Sequence, residues 1–275
     1  MATWAVLLTT HERRETTLGC LDALGEQRGH GRTLRVVVVD AASTDGTPAA
    51  VAAHPLRPEV LAADASTFWN QGMRLAWSHV VDDPAVAACL WLNDDTRLDP
   101  EALARLAAVH EAHPDAIVVG ATRDPDSGAV TYSGVHRPDR RRPLAFARVA
   151  PDPAAPVPVE TMNGNCVLVP RAVQDRVGLL DATFTHGMGD FDYGLRARAA
   201  GVEVLLAPGT VGTCRANAAA APADVATTWR RLRGPKGLPT SEWVEFARRW
   251  AGPLWPVYAA SPYVRRLVRA ARGRG

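Results

Sequence analysis

Short apolar runs alternate with longer amphipathic segments through the first 120 residues of the chain. The apolar runs predict strands at residues 4–9, 34–40, 59–62, 87–93 and 116–120. The amphipathic segments predict helices at residues 12–27, 45–53, 69–81 and 100–113. This alternation is typical of βαβ units, whose right-handed crossovers build a doubly wound, mostly parallel sheet.

The pattern is less regular after residue 129. A hairpin-like stretch leads into residues 137–158, which are rich in Arg, Pro and Asp and which we interpret either as a mobile loop over the site or as a solvated connection. The next segments predict a strand at residues 159–169, helices at 172–177 and 190–200, and a strand at 202–206. We therefore expect one α/β domain at residues 1–214, built on a single Rossmann-like, doubly wound mixed sheet.

The last part of the chain, residues 215–275, differs in composition. Helices are predicted at residues 225–233 and 241–250, and a segment with aromatic residues between prolines follows. The end is strongly basic, with arginines at Arg265, Arg266, Arg269, Arg272 and Arg274. This helical, basic and aromatic extension suits the interface of an anionic membrane, but it also suits a lid on the main domain or a homodimer contact.

Composition places the chain among globular proteins. Of its 275 residues 47% are hydrophobic, which is enough for a sizeable core, and its formal net charge is only +2. The basic residues are almost all arginine, and Lys236 is the single lysine. The four cysteines lie far apart without a C-x-x-C pair, which favours buried free thiols in a reducing cytoplasm.

The beginning of the chain gives no sign of export. Met1 leads directly into the first apolar run, without a basic segment or a cleavage site. No apolar run approaches the roughly 18 residues that a membrane-spanning helix needs. We therefore expect a cytoplasmic protein, which would lie at the inner face of the membrane if the extension binds lipid.

The candidate chemistry lies where the predicted parallel strands end, because ligands of open α/β sheets bind beyond these carboxyl ends. The first strand ends at Thr9, Thr10 and His11. The second ends at Asp40, after four valines, where the carboxylate is able to accept a hydrogen bond from a base or a ribose. The alternative for Asp40 is a turn aspartate that caps the next helix.

An acidic pair, Asp94 and Asp95, follows Asn93 at the end of the fourth predicted strand, which reads as buried on both faces. Adjacent carboxylates there repel each other and lose hydration, and a hard divalent cation such as Mg²⁺ or Mn²⁺ relieves both costs. Such a cation would also neutralise a leaving diphosphate. Helix capping by Asp95 and Thr96 is the alternative interpretation.

A glycine-rich turn at residues 187–189 places Asp190 at the start of a predicted helix. The positive end of the helix dipole favours an ionised carboxylate at this position. Such a carboxylate is able to take the proton from a hydroxyl group that attacks an anomeric carbon. Helix capping is again the alternative.

Together these segments resemble the family-two glycosyltransferases, particularly the branch that includes bacterial rhamnosyltransferase-like enzymes. The resemblance covers residues 4–214 and rests on four motifs in the family's order. They are the nucleotide-contacting segment at residues 39–47, the Asn-x-Gly element at 70–72, the Asp-x-Asp metal motif at 93–95 and the Glu-Asp-x-Asp base segment at 189–192.

The resemblance implies a GT-A fold and an inverting transfer of a hexosyl or deoxyhexosyl group from a UDP- or dTDP-sugar. The acceptor would be a glycan, a lipid-linked molecule or a small molecule. Asp95 is implied as the ligand of Mn²⁺ or Mg²⁺, and Asp190 as the catalytic base. The candidates for donor contacts are Thr9, His11, Arg13, Asp40, Asn70 and Asp94. The candidates for contacts to the sugar or the acceptor are Trp69, Asn163, Asn165, His186 and Asp192.

Several positions depart from the family pattern. Thr10 and His11 stand where Tyr-Asn is common. Asn93 replaces the first Asp of the metal motif, and Gly189 replaces the Glu of the base segment. Residues 208–214 stand where the family often places a metal-binding histidine, which leaves the third ligand unassigned and makes His186 a candidate.

Two other functions fit parts of the pattern. A nucleotidyltransferase would use a similar sheet, acidic residues and a metal, but the segment after the first strand lacks the glycine-rich phosphate loop. A non-catalytic protein that binds a nucleotide sugar or scaffolds an assembly would need Asp40 but neither Asp95 nor Asp190. Nucleic-acid binding is not expected, because the net charge is near zero and the arginines lack an interleaved aromatic motif.

Overall fold

The computed structural model describes residues 2–217, 221 and 223–272. The strands are β1 (Thr3–Thr10), β2 (Thr33–Asp40), β3 (Glu59–Ala62), β4 (Val86–Leu92), β5 (Arg97–Leu98), β6 (Ile117–Arg123), β7 (Val130–Tyr132), β8 (Gly134–His136), β9 (Ala147–Arg148), β10 (Val157–Pro158), β11 (Thr161–Met162), β12 (Cys166–Pro170) and β13 (Val204–Thr213). The helices are α1 (Arg14–Gly25), α2 (Thr47–Ala52), α3 (Trp69–Val80), α4 (Ala102–Ala112), α5 (Arg171–Val177), α6 (Gly189–Ala199), α7 (Val225–Arg233), α8 (Thr240–Trp250) and α9 (Trp255–Ala271).

The large sheet has the strand order β10-β13-β6-β12-β4-β1-β2-β3. β1 runs parallel to β2 and β4, and β2 runs parallel to β3, whereas β12 is antiparallel to both β4 and β6. A small second sheet contains β11, β8 and β9. The prediction of a mixed, mostly parallel α/β sheet is confirmed, and this topology places the carboxyl ends of β1, β2 and β4 side by side.

Helices cover both faces of the large sheet, so successive residues of its central strands are buried on opposite sides. Val6 and Leu8 of β1 belong to the core that includes Leu21 of α1 and residues of α4. Leu7 belongs to the opposite core, which includes Trp77 of α3 and residues of α6. Burial on both faces explains the unbroken apolar runs from which the strands were predicted.

The strand predicted at residues 159–169 is interrupted in the structure. β11 joins the small sheet, residues 163–165 form a connection, and β12 enters the large sheet. Gly164 lies against the ring of Trp69, and a Cβ atom at this glycine would be 2.4 Å from the ring. The interruption therefore places Asn163 and Asn165 beside Trp69 instead of inside a strand.

Residues 137–158 include β9 and β10 and do not line the cavity described below, so the interpretation as a loop over the site is wrong. Leu144 and Phe146 pack against the aromatic cluster around α8. The Phe146 ring meets Phe191 edge-to-face, with centroids 4.9 Å apart. These partly buried side chains therefore attach the segment to the aromatic cluster.

The C-terminal extension packs on the α/β domain through one aromatic cluster. Trp243 and Phe246 of α8 are buried together with Phe184 and Leu195 of the domain. α9 occupies a segment for which the prolines do not predict a helix, and its Pro256 lies in the first turn, where a missing N–H is tolerated. Within the described residues, no helix has the length and apolar character needed to cross a bilayer. Arg274 lies outside the described residues.

Candidate active site

A cavity of about 550 Å³ opens beyond the carboxyl ends of β1 and β4. Most of the residues predicted for the site line it: Thr9, His11, Arg13, Trp69, Asp94, Asp95, Asn163, Asn165, His186 and Asp190. Three predicted residues, Asp40, Asn70 and Asp192, are not part of its wall. Two of the four motifs, at residues 93–95 and 189–192, therefore reach the cavity, whereas those at 39–47 and 70–72 do not line it. The contacts of each side chain indicate what it is able to do there.

The acidic pair after β4 is bridged by one arginine. Arg13, between β1 and α1, donates from Nη1 to Asp94 Oδ1 at 3.0 Å and to Asp95 Oδ2 at 3.2 Å. Burial raises the pKa of Asp94 to about 6, although the Arg13 charge acts in the opposite direction. The pair thus consists of one buried carboxylate, Asp94, and one partly exposed carboxylate, Asp95, and the cationic side chain of Arg13 bridges them.

Asn93, which replaces the first aspartate of the metal motif, orients an aromatic wall of the cavity. Its Oδ1 accepts a hydrogen bond of 2.7 Å from the indole Nε1 of Trp69. The Trp69 ring also meets Trp91 of β4 edge-to-face, with centroids 6.3 Å apart. With Gly164 against it, Trp69 is held in one orientation at the edge of the cavity.

The acidic pair is the part of the cavity that fits a divalent cation. Asp95 keeps 32% of its side chain exposed, and Cys214 donates its thiol proton to Asp95 Oδ1 at 3.3 Å. Burial and the neighbouring Asp95 carboxylate raise the pKa of Cys214 to about 12, so Cys214 is a thiol that donates to Asp95 in this structure. The part of the chain that the structure describes holds no group of three or more metal-binding side chains. Carboxylate oxygens are the ligands that Mg²⁺ and Mn²⁺ prefer, so Asp94 and Asp95 would hold such an ion only with further ligands from outside the described side chains.

Asp190 lies in the first turn of α6 and is held by backbone donors. Its Oδ2 accepts a hydrogen bond of 2.9 Å from the N–H of Gly164, and its Oδ1 accepts one of 2.9 Å from the N–H of Phe191. Burial nevertheless raises the pKa of Asp190 to about 6. A carboxylate with this pKa is ionised near neutral pH and is a stronger base than an exposed aspartate.

Asn70 is fully buried beneath the cavity, which corrects the expectation of a donor contact. Its Nδ2 donates to the carbonyl oxygens of Asp181 at 2.9 Å and Phe184 at 2.6 Å. A Cβ atom added to Gly189 would lie only 1.8 Å from Asn70 Oδ1, so this oxygen occupies the space that a side chain at 189 would need. The Asn-x-Gly element thus supports the turn before α6, and it explains why glycine stands at 189.

Asp192 is also buried and faces away from the cavity, which corrects its assignment to the acceptor. One oxygen accepts from Arg196 Nε at 2.7 Å, and the other from Arg249 Nη1 at 3.1 Å and Trp250 Nε1 at 3.0 Å. Residues two positions apart on a helix point in different directions, so Asp190 and Asp192 cannot share one site. Asp192 instead binds α6 to α8.

Asp40 lies at the end of β2, paired in register with Thr10 of β1. Its Oδ2 accepts a hydrogen bond of 2.9 Å from the N–H of Ser43, as expected of a turn aspartate. Its Oδ1 is buried without a partner in the described part of the chain. His11 donates from Nδ1 to the carbonyl oxygen of Ala41 at 2.7 Å and so links the segments that follow β1 and β2. Asp40 therefore stabilises the turn with Oδ2, and its Oδ1 remains able to accept a further hydrogen bond.

The wall also includes Thr10, Asn93 and Gly187, which lie in the segments predicted for the site. Other residues of the wall were not predicted from the sequence: Ala65, Thr67, Phe68, Tyr132, Gly164, Asn217 and Lys236. Lys236 comes from the turn between α7 and α8, and its charge adds to burial in lowering the pKa of His186. His186 packs edge-to-face on Phe68, with centroids 5.9 Å apart, and belongs to no described metal-binding group. The sequence offered one sign that Lys236 differs from the other basic residues: it is the single lysine in a chain rich in arginine.

This sheet, with its cavity at the strand ends and its acidic pair after β4, is the GT-A type of fold found in glycosyltransferases. The model of glycosyl transferase family 2 matches residues 5–166, which is more than half of the chain. The chain belongs to this family. No curated protein matches its sequence.

Three solved structures illustrate the likeness. GalNAc-T7 with UDP, GalNAc and Mn²⁺ has a TM-score of 0.59 and 14% identity over 76% of this chain and 43% of that chain. The mannosyltransferase PcManGT from Pyrobaculum calidifontis, with GDP-Man and Mn²⁺, has a TM-score of 0.57 and 20% identity over 98% and 73%. Residues 1–349 of S. aureus TarS have a TM-score of 0.59 and 14% identity over 98% of this chain and 71% of that chain. The chain spans less than half of GalNAc-T7, and at these identities the likeness concerns the fold.

Proposed function

We propose that the protein is an inverting glycosyltransferase that moves a hexosyl or deoxyhexosyl group from a UDP- or dTDP-sugar to an acceptor hydroxyl, with Mn²⁺ or Mg²⁺ as cofactor. The observation that carries the proposal is that one cavity is lined by the acidic pair, Asp94 and Asp95, and by the base candidate Asp190. The transfer needs a place for the leaving diphosphate and a base for the acceptor. Mn²⁺ in the GalNAc-T7 and PcManGT complexes supports the choice of cofactor.

The nucleotide is proposed to bind across the ends of β1 and β2. Asp40 offers a buried carboxylate oxygen without a described partner, and such an oxygen gains most from a hydrogen-bond donor on the ligand. Uracil and thymine both carry such a donor at N3. Thr9 and His11 form the adjoining wall of the cavity. This chemistry supports either a UDP- or a dTDP-sugar.

The diphosphate is proposed to lie between the acidic pair and the C-terminal extension. Asp95, with Asp94, would hold the divalent ion, whose chemistry is to neutralise the charge of the leaving nucleotide. Lys236 lines the same cavity, and none of the salt bridges among the described residues involves it. We assign Lys236 to the donor phosphates, because an unpaired ammonium group is a common phosphate ligand.

Asp190 is the proposed base. Its carboxylate takes the proton of the acceptor hydroxyl while the hydroxyl oxygen forms the new bond to the anomeric carbon, and the bond to the diphosphate oxygen breaks. A single displacement of this kind inverts the anomeric centre. The N–H groups of Gly164 and Phe191 hold the carboxylate in place for this step.

The sugar and the acceptor are proposed to lie on the wall that contains Trp69, Asn163, Asn165 and His186. Asparagine amides donate and accept hydrogen bonds and so suit sugar hydroxyl groups. The flat Trp69 ring suits the apolar face of a sugar. A glycan, a lipid-linked molecule and a small molecule remain the classes of acceptor, and a rhamnosyl donor is one of the deoxyhexosyl candidates.

The test is a thermal-shift panel of UDP-, dTDP- and GDP-sugars with and without Mn²⁺, followed by product analysis for the donor that binds. We expect one uracil or thymine nucleotide class to stabilise the wild type in a metal-dependent way, and Asp95→Ala to lose this effect. Asp115→Ala is the control, because Asp115 is exposed and lies outside the cavity. Binding without transfer to any acceptor would favour a non-catalytic nucleotide-sugar-binding protein, and absence of binding would contradict the proposal.

A further inference from the structure

The outward face of α9 is apolar and exposed. α9 packs on α7 and α8, and Ala259 and Ala270 are buried. On the opposite side, Val257 is 64% exposed, Val264 58% and Val268 42%. Separations of seven and four residues place these valines on one face of the helix. They form an apolar stripe, here called the valine stripe, that the described chain does not cover.

Arginines accompany the valine stripe along the helix. Arg265, Arg269 and Arg272 follow each other at spacings of four and three residues and are exposed, so they form a row beside the valines. The last carboxylate side chain of the sequence is that of Glu245 on α8, which is already bound by Arg248 and Arg249. The positive charge of α9 therefore has no acidic side chain of its own helix to balance it.

We propose that α9 is a docking surface for an anionic membrane, with the valine stripe in the interfacial layer and the arginine row on the lipid phosphates. A helix with an apolar stripe beside cationic side chains lies in the plane of such an interface. Arginine stems also bury their methylene groups while the guanidinium groups reach the headgroups. This inference is independent of the proposed sugar transfer, because it concerns residues outside the cavity.

A second copy of the chain is a poorer occupant of this face. A two-fold interface uses the same patch on both partners, so two valine stripes in contact would bring two arginine rows together without a carboxylate between them. Like charges across an interface disfavour association. A surface that carries negative charge complements the arginine row of α9, and one that also accepts apolar groups complements its valine stripe.

The experiment is co-sedimentation of the full chain with phosphatidylcholine vesicles that contain or lack phosphatidylglycerol, without donor or metal. Two variants remove the two features separately: Arg265→Gln/Arg269→Gln/Arg272→Gln and Val257→Ser/Val264→Ser/Val268→Ser. The control Arg28→Gln/Arg57→Gln/Arg105→Gln removes the same charge from exposed positions on the α/β domain. Circular dichroism and melting temperature show whether each variant is folded.

We expect binding to the anionic vesicles only, weakened by salt, unchanged in the control and reduced on the order of 100-fold in the arginine variant. The valine variant should also bind more weakly. Equal binding of the wild type to neutral vesicles, no binding to either kind, or equal binding of all variants would overturn the proposal. So would a wild-type dimer in light scattering that the valine variant turns into a monomer, because a second copy would then cover the stripe.

Discussion

Two aspartates on α6 give a matched pair of variants with opposite expected outcomes. Asp190 lines the cavity and is bound by backbone N–H groups. Asp192 is wholly buried and bound to Arg196, Arg249 and Trp250. We expect Asp190→Asn to slow transfer strongly in a stable protein, and Asp192→Asn to destabilise the protein while the folded fraction keeps its activity.

The expected magnitudes follow from these contacts. Loss of a general base costs on the order of 10²–10⁴-fold in kcat. Loss of one partner from a buried ion pair costs about 3–5 kcal/mol. Arg196 and Arg249 keep 24% and 23% of their side chains exposed, so water recovers part of this cost and about 2–3 kcal/mol should remain for Asp192→Asn. At roughly 2–4 °C per kcal/mol, the melting temperature falls by about 5–10 °C.

The assay measures initial rates at saturating donor and thermal unfolding on the same preparations. For Asp190→Asn the change in melting temperature should be small, because relief of a buried charge offsets the loss of one hydrogen bond. The reasoning is refuted if Asp190→Asn keeps more than about a tenth of the wild-type kcat. It is also refuted if Asp192→Asn unfolds at the wild-type temperature.

Four further predictions concern the cavity and the start of α6 beside it. Because the pKa of Asp190 is raised to about 6, kcat should rise with pH as this carboxyl loses its proton, and it should level off above about pH 7. A pH–rate profile that falls over this range would contradict the base role. Lys236→Ala should weaken binding of the donor's nucleoside diphosphate about tenfold but leave the nucleoside unaffected in calorimetry, with Lys236→Arg keeping most of the affinity. Asp95→Ala should remove the Mn²⁺ dependence of the rate, whereas a retained metal response would assign the cation elsewhere. Gly189→Ala should cost about 1–3 kcal/mol in urea unfolding, because its Cβ atom would meet Asn70 Oδ1, and an unchanged midpoint would show that this contact relaxes freely.

Much of the fold could be predicted because buried strands appear in the sequence as short runs of apolar residues. The four valines before Asp40 and the apolar run before Asp94 mark strands that are covered on both faces, and parallel strands bring their ends to one edge. The side on which a helical residue points could not be predicted in the same way. Asp190 and Asp192 have the same local chemistry, and the packing of α8 against one side of α6 is what separates them.

Contacts between distant parts of the chain were also beyond the reach of sequence patterns. Asn70 meets carbonyl oxygens more than 100 positions further along, and Lys236 reaches the cavity from the extension. The connection at residues 163–165 interrupts an apolar pattern because Gly164 packs under Trp69. In each case the deciding partner lies far away in the chain, where neither hydrophobic periodicity nor spacing carries a signal.

The close approach of Gly189 and Asn70 couples two distant parts of the chain. The amide oxygen of Asn70 fills the place that a side chain at 189 would take, so a larger residue at 189 requires the Asn70 side chain to move. That movement would also disturb the hydrogen bonds from Asn70 to the carbonyl oxygens of Asp181 and Phe184. A substitution at 189 is therefore expected to alter the turn that carries Asp190 into the cavity as well as its own position, and its effect should not add to that of a substitution at 70.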